Sequence, residues 1–115
     1  MNARRSYVCV TITLTQNTIT RLLDAINAAL GAGVECPGAA REVLLQSTGG
    51  NTSSVFVGDS NVSATNGYEL PAGASSAPGV PRIYRSSESN GVPVGNLYVF
   101  SAGVSQKLNV EVIQM

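Results

Sequence analysis

The sequence predicts a mainly β protein: a single antiparallel β-sandwich or jelly-roll-like small barrel, with one amphipathic helix near its N-terminus. Three observations carry this expectation. Residues 7–15 alternate apolar and polar side chains with the period of a strand. Further short apolar runs recur at intervals of about ten residues, separated by Gly, Asn, Ser and Pro, which is the rhythm of a sandwich or small barrel. Only residues 18–31 carry apolar side chains at helical spacing.

In the first strand, Val8, Val10, Ile12 and Leu14 point one way, and Tyr7, Cys9, Thr11 and Thr13 point the other. Asn17-Thr18 then offers N-cap oxygens, and Ile19, Leu22, Leu23, Ile26 and Leu30 follow along one helical face up to Gly31, with Gly33 just beyond. The other face holds Thr20, Arg21, Asp24 and Asn27. A single arginine is not the basic face that a membrane-surface helix needs, so this helix is expected to cover the open end or face of a sheet. Cys36-Pro37-Gly38 breaks the chain before Arg41-Glu42-Val43-Leu44-Leu45-Gln46, a strand candidate. Gly49-Gly50-Asn51 reads as a turn, and Val55-Phe56-Val57 opens the next strand. Residues 70–96 contain Pro71, Pro78, Pro81 and Pro93, and proline lacks the donor that a central strand contributes, so this stretch reads as edge strand or exposed loop. Within it, Arg82-Ile83-Tyr84-Arg85 looks like a short strand. Leu97-Tyr98-Val99-Phe100 and residues 107–114, with Leu108, Val110 and Val112 on one face, read as a terminal hairpin, its turn at Ser101-Ala102-Gly103 relying on the backbone freedom of Gly103. The chain is thus one domain, residues 1–115, with its remaining strands between 41 and 114 and no internal repeat.

A chain of 115 residues buries roughly 65% of its unfolded surface and folds without staples. Seven basic and seven acidic residues cancel, and only 12% of the chain is charged. Nothing resembles the basic stripe interleaved with aromatics that nucleic acid requires, and Arg4-Arg5 is too short to act as a basic tail. A weakly charged surface also lacks the self-repulsion that keeps soluble monomers apart, which permits close packing of identical copies. No run approaches a membrane span, and the alternation after Met1-Asn2-Ala3-Arg4-Arg5 argues against a secretory signal. The glycosylation patterns at Asn51-Thr52-Ser53 and Asn61-Val62-Ser63 then read as chance matches. Cys9 and Cys36, with no histidine in the chain, do not make a tetrahedral zinc site, and both read as small buried hydrophobes with free thiols, a disulfide between them being the alternative.

The stretch V-F-V-G-D-S-N-V-S-A-T-N-G-Y, residues 55–68, invites a nucleophile reading at Ser60. A serine nucleophile needs a general base; the chain has no histidine, and its one lysine, Lys107, lies in a strand-like segment near the C-terminus. No catalytic residue is therefore expected, and no cofactor. Asp59, Asn61 and Asn66 can instead accept hydrogen bonds from backbone amides two residues on, while Gly58 and Gly67 can supply positive φ. A calcium site would want more than one carboxylate, and the spacing is not that of an EF-hand, so no metal is expected.

These words, in this order, resemble small structural proteins of tailed bacteriophage virions. The resemblance rests on Arg41-Glu42-Val43 leading to Gly50-Asn51, residues 57–62 (V-G-D-S-N-V), Asn66-Gly67, residues 70–73 (L-P-A-G), Leu97-Tyr98-Val99, and residues 106–110 (Q-K-L-N-V). With the leading helix it spans roughly residues 18–113. It implies a β-sandwich virion component assembled in the host cytoplasm, without enzymatic activity. The leading form is a head decoration (cement) protein that binds the major capsid protein or other virion proteins as a homo-oligomer, with a trimer as the working guess. A tail, neck or spike-base subunit and a carbohydrate-binding module for host attachment are the alternatives. The chain departs from the pattern after Gly73, where prolines surround residues 82–85. Arg and Tyr are favoured interface anchors, so Arg82, Tyr84 and Arg85, with Asp59 and Asn61 of the polar loop, are the candidate contact residues.

Overall fold

The computed structural model describes residues 3–4, 7–72, 77–86 and 91–114; of the residues discussed above, Met1, Asn2, Arg5 and Gly73 lie outside this set. In chain order the elements are β1 (Ala3–Arg4), β2 (Tyr7–Thr13), β3 (Thr20–Arg21), α1 (Leu22–Leu30), β4 (Val34–Glu35), β5 (Ala39–Ser47), β6 (Val55–Gly58), β7 (Tyr68–Leu70), β8 (Arg82–Arg85), β9 (Val92–Pro93), a 3-10 turn (Val94–Asn96), β10 (Tyr98–Phe100) and β11 (Lys107–Gln114).

Period-two patterning builds the two layers of a small β-sandwich. One antiparallel sheet has the order β2-β11-β5-β8, with β9 joining the start of β5; the other has the order β3-β10-β6-β7. Val8, Ile12, Val43, Leu45, Leu108, Val110 and Val112 of the first sheet face Val55, Val57, Leu70 and Val99 of the second, and all are buried. At about 1.5–3 kcal/mol per fully buried large aliphatic side chain, this layer is the main favourable term of the fold. A charge placed at Val43 or Val110 would break it.

The helix begins later than its periodicity predicts. Instead of entering a helix at residue 18, Thr20 and Arg21 are extended and pair with Val99 and Tyr98 of β10. The Leu22 N–H donates to the Leu97 carbonyl at 2.9 Å. Asn17 does not cap: it takes a left-handed φ of 56°, and the N-cap position falls to Arg21, which offers no capping side chain. Sheet pairing has outcompeted local helix chemistry over one turn, and Ile19, expected on the apolar face, is exposed. The end is as expected. Gly31, at φ 87°, closes the helix with its N–H on the Asn27 carbonyl. Leu22 and Ile26 are fully buried, and the helix covers the flank of the sandwich where β2 and β3 form the sheet edges.

Two further expectations need correction. Residues 97–114 are not a hairpin, because β10 pairs with β6 and β3 in one sheet while β11 pairs with β2 and β5 in the other. The connection crosses between layers, and Gly103 is needed there for space and not for φ: a Cβ would come within 2.6 Å of Ser53 Oγ. Ser105 takes the left-handed φ, 52°. Cys9 is exposed, on the outward face with Tyr7, Thr11 and Thr13; only Cys36 is buried, and both thiols are free. Strand alternation, not the general tendency of thiols to be buried, decides the side on which Cys9 lies.

The crossing is held by side chains that no apolar pattern reports. Gln106, 3% exposed, accepts at Oε1 from the amides of Thr52 (2.8 Å) and Ser53 (2.9 Å) and donates from Nε2 to the Val104 carbonyl (2.9 Å) and Thr52 Oγ1 (3.2 Å). Beside it Asn51 brackets Lys107, accepting from its N–H at 2.7 Å and donating to its carbonyl at 2.8 Å. Buried Ser101 donates to the Ser54 carbonyl at 2.8 Å. Together these side chains join loop 48–54 to the 101–107 crossover, so the two sheets are locked at this end.

Candidate interaction surface

The Gly-Asp-Ser loop forms a turn, as its composition predicts. Asp59 Oδ1 accepts from the Asn61 amide at 2.8 Å, and the Asp59 carbonyl accepts from the Val62 amide at 3.0 Å. The Asn66 side chain donates to the Asn61 carbonyl at 3.0 Å, a reversal of the expected acceptor role. Buried Val62 anchors the loop from below. Gly67, at φ 144°, leaves so little room that a Cβ would lie 2.8 Å from Val62 Cγ2 and 2.9 Å from the Val57 carbonyl oxygen; Gly58, expected to share this role, has no positive φ. Asp59, Ser60 and Asn61 are exposed.

The more distinctive arrangement lies at the flank opposite the helix, where β7 and β8 are the outer strands of their sheets. Register places Arg82 opposite Leu45 and Tyr84 opposite Val43, so both side chains occupy inward-facing positions of an edge strand. Tyr68 stands opposite Val57 and is inward-facing in the same sense on β7. The three meet: the Arg82 guanidinium carbon lies 4.3 Å from the Tyr68 ring centroid and 4.8 Å from that of Tyr84. One cation thus ties the rim of one sheet to the rim of the other. Arg82 Nε is buried and has no hydrogen-bond partner. The terminal guanidinium nitrogens also lack a partner among the described residues, but they are not buried, so the fork end of the group meets solvent.

Magnitudes show what this clamp does for folding. Each ring contributes about 0.5–2 kcal/mol to a stacked cation, while an orphaned buried donor costs about 1–3 kcal/mol, so the two nearly cancel. An apolar side chain at the same inward position would add burial without the orphan. Arg82 is therefore close to neutral for stability. It also has a protective role, since an inward-pointing charge on an edge strand disfavours pairing with another chain.

The other candidate residues do not join this site. Arg85 lies on the outward face of β8 and pairs with Glu42 at 3.1 Å. Asp59 bonds through its side chain within its own loop, whereas Asn61 bonds there through its backbone N–H and carbonyl and not through the side-chain acceptor expected of it. The sequence reading missed Tyr68, although the signal was present: Leu70 is an inward residue two positions later, so period two puts Tyr68 on the same face, at the strand's outer end. On the outward face of the larger sheet, the Tyr7 hydroxyl donates to Glu111 Oε2 at 2.9 Å, and this bond to a carboxylate, more than any desolvation, holds the phenol up at about 12. Among the described residues there is no cavity and no group of three or more His, Cys, Asp or Glu placed to hold a metal. No family model, curated protein or solved structure matches this chain.

Proposed function

We propose that this protein is a non-enzymatic structural component of a tailed-phage virion, most specifically a decoration protein that binds the assembled head and stabilises it. The observation that carries the reading is the ordered set of motif words, from Gly50-Asn51 through residues 57–62 to residues 106–110. The structure gives these words physical work: Asn51 brackets Lys107, Gln106 holds loop 48–54, and Asp59 closes the turn. Such joints build a rigid sandwich, which suits a module that acts through its surface. Stabilisation would follow from linkage, since a ligand of the assembled shell that ignores separated subunits shifts the equilibrium toward assembly.

Two measurements test this. Purified virions should contain the chain in hundreds of copies if it decorates the head, and in dozens at most if it belongs to the tail or neck; its absence from virions refutes the reading. Heads lacking it should release DNA at a lower temperature than decorated heads, and equal temperatures would refute the stabilising role. A homo-oligomer, with a trimer as the working model, is checked by sedimentation equilibrium of the isolated protein.

A further inference from the structure

We propose that the Tyr68–Arg82–Tyr84 clamp is a docking point for a carboxylate side chain, Asp or Glu, on an exposed segment of a protein partner. The inference deepens the assembly reading and rests on it for the partner being a protein; the chemistry of the clamp stands on its own geometry. Two tyrosine rings lie against the guanidinium, and its Nε edge is buried, so the terminal nitrogens are the part left to a ligand. Those nitrogens donate in the plane of the group, in the fork geometry that a carboxylate accepts with two parallel hydrogen bonds. The side-chain ion pairs among the described residues, Arg21 with Asp24 and Arg85 with Glu42, supply their own carboxylates. Arg82 carries its charge at the sandwich rim with no acidic partner among the described residues. Charge complementarity therefore selects an acidic occupant.

The surroundings favour a protein over a sugar. The guanidinium already covers one face of each tyrosine ring, which leaves less ring surface to stack on a pyranose. Exposed Val80 and Pro81 precede the clamp in the chain and offer apolar contact beside the charge. Main-chain strand addition is disfavoured by the inward charge and by Pro78 and Pro81 just before β8, so recognition falls to side chains. The clamp is also preorganised. Stacking restricts the long arginine side chain before the partner arrives, which lowers the ordering cost of binding.

The test is a nuclear magnetic resonance titration of the full chain, following the Arg82 Nε–H signal and the Tyr68 and Tyr84 ring protons. The probe is an acetylated, amidated pentapeptide with one central glutamate, compared with its glutamine twin. The glutamate peptide should move all three residues together, with the effect weakening as salt is added, and the glutamine twin should bind at least about tenfold more weakly. Arg82→Lys keeps the charge but loses the planar fork, and should weaken binding by about tenfold, whereas Arg85→Lys should leave it unchanged. Equal response to both peptides, or equal loss in the two variants, would overturn the proposal. Tighter binding of a galacturonate oligosaccharide than of the peptide would transfer the site to an anionic glycan, and dilution-dependent shifts without peptide would assign it to a second copy; either result refutes the occupant named here. Because the titration uses isolated protein, it can fail while the virion location holds, and the converse is equally visible.

Discussion

Replacing Gln106 by alanine tests the claim that one buried amide joins the two layers. The substitution removes four hydrogen bonds: two accepted from the amides of Thr52 and Ser53, and two donated to Thr52 Oγ1 and the Val104 carbonyl. At about 1 kcal/mol net for each, the gross loss is about 4 kcal/mol, and the side-chain entropy no longer lost on folding returns about 1.5 kcal/mol. Thr52 is exposed and Ser53 half-buried, so water can reach the freed amides in part, which keeps the cost near the low end of the orphan range. The expected destabilisation is about 2–3 kcal/mol, or a fall in Tm of about 8–15 °C for a domain of this size. Urea unfolding gives the free energy, and hydrogen exchange should show the Thr52 and Ser53 amides losing protection. Gln106→Glu is the informative partner variant, because it keeps an acceptor for both amides but turns a carboxylate oxygen toward the Val104 carbonyl. Burial and the facing Val104 carbonyl disfavour ionisation against the pull of the two amides, and the protonated acid restores the donor to Val104, so the deficit relative to wild type is expected to shrink on acidification toward about pH 4. A Gln106→Ala protein within about 1 kcal/mol of wild type, with unchanged exchange at both amides, would refute the joint.

Four other outcomes are expected. Asp59→Ala removes the acceptor for the Asn61 amide and should cost about 0.5–1.5 kcal/mol, while Ser60→Ala should change little; the reverse order in thermal melts would contradict the turn assignment. Arg82→Met removes the orphaned Nε and should leave stability unchanged or raise it by up to about 1 kcal/mol, whereas a loss above about 2 kcal/mol would show that the clamp is a folding element. In native protein iodoacetamide should label Cys9 and spare Cys36, whose thiol burial pushes up to about 11 from its ordinary 9.0. Because the fold favours that neutral thiol, its contribution is complete below pH 9.0 and is lost as pH rises toward about 11. Cys36→Ala should therefore lose less stability than wild type across that interval, and identical alkaline profiles would exclude the thiol as the cause.

Much of the sandwich was legible because period two survives in β2, in β5 from Val43 onward and in β11 up to Val112, where every inward position but Ser47 is apolar. The end of the helix was legible because Gly31 needs a conformation that other residues avoid. What failed was information that a local window does not contain. Alternation marks Leu97-Tyr98-Val99-Phe100 and residues 107–114 as strands equally well whether they pair or diverge, and the choice is made by Gln106 and Ser101, polar residues whose partners lie about fifty positions away. The lost first turn of the helix has the same origin, since Thr20 and Arg21 find their partners on β10. At the rim, Arg82 and Tyr84 were identifiable by residue type, but Tyr68 becomes meaningful only once the topology brings β7 and β8 to the same flank.

The two flanks of the sandwich are closed by different chemistry, and that difference bears on where the molecule can act. At the β2/β3 flank, α1 inserts Leu22 and Ile26, both fully buried, so opening that side would expose apolar area at about 25 cal/mol per Å². At the β7/β8 flank, closure rests on a charge stacked on two rings, with stabilising and destabilising terms of similar size. Antiparallel alternation adds a second asymmetry. The Ser86 amide donates to the Arg41 carbonyl, so Tyr84 and Arg82 also turn their amides toward β5, and Ile83 and Arg85 present theirs to the free edge. A four-residue strand with unspent donors and acceptors would invite indiscriminate pairing. The inward Arg82 and the prolines before β8 discourage it while leaving the guanidinium fork available. The same residue thus blocks main-chain pairing and offers a side-chain contact in its place, which is how an exposed edge becomes selective for a partner with a carboxylate in the right position.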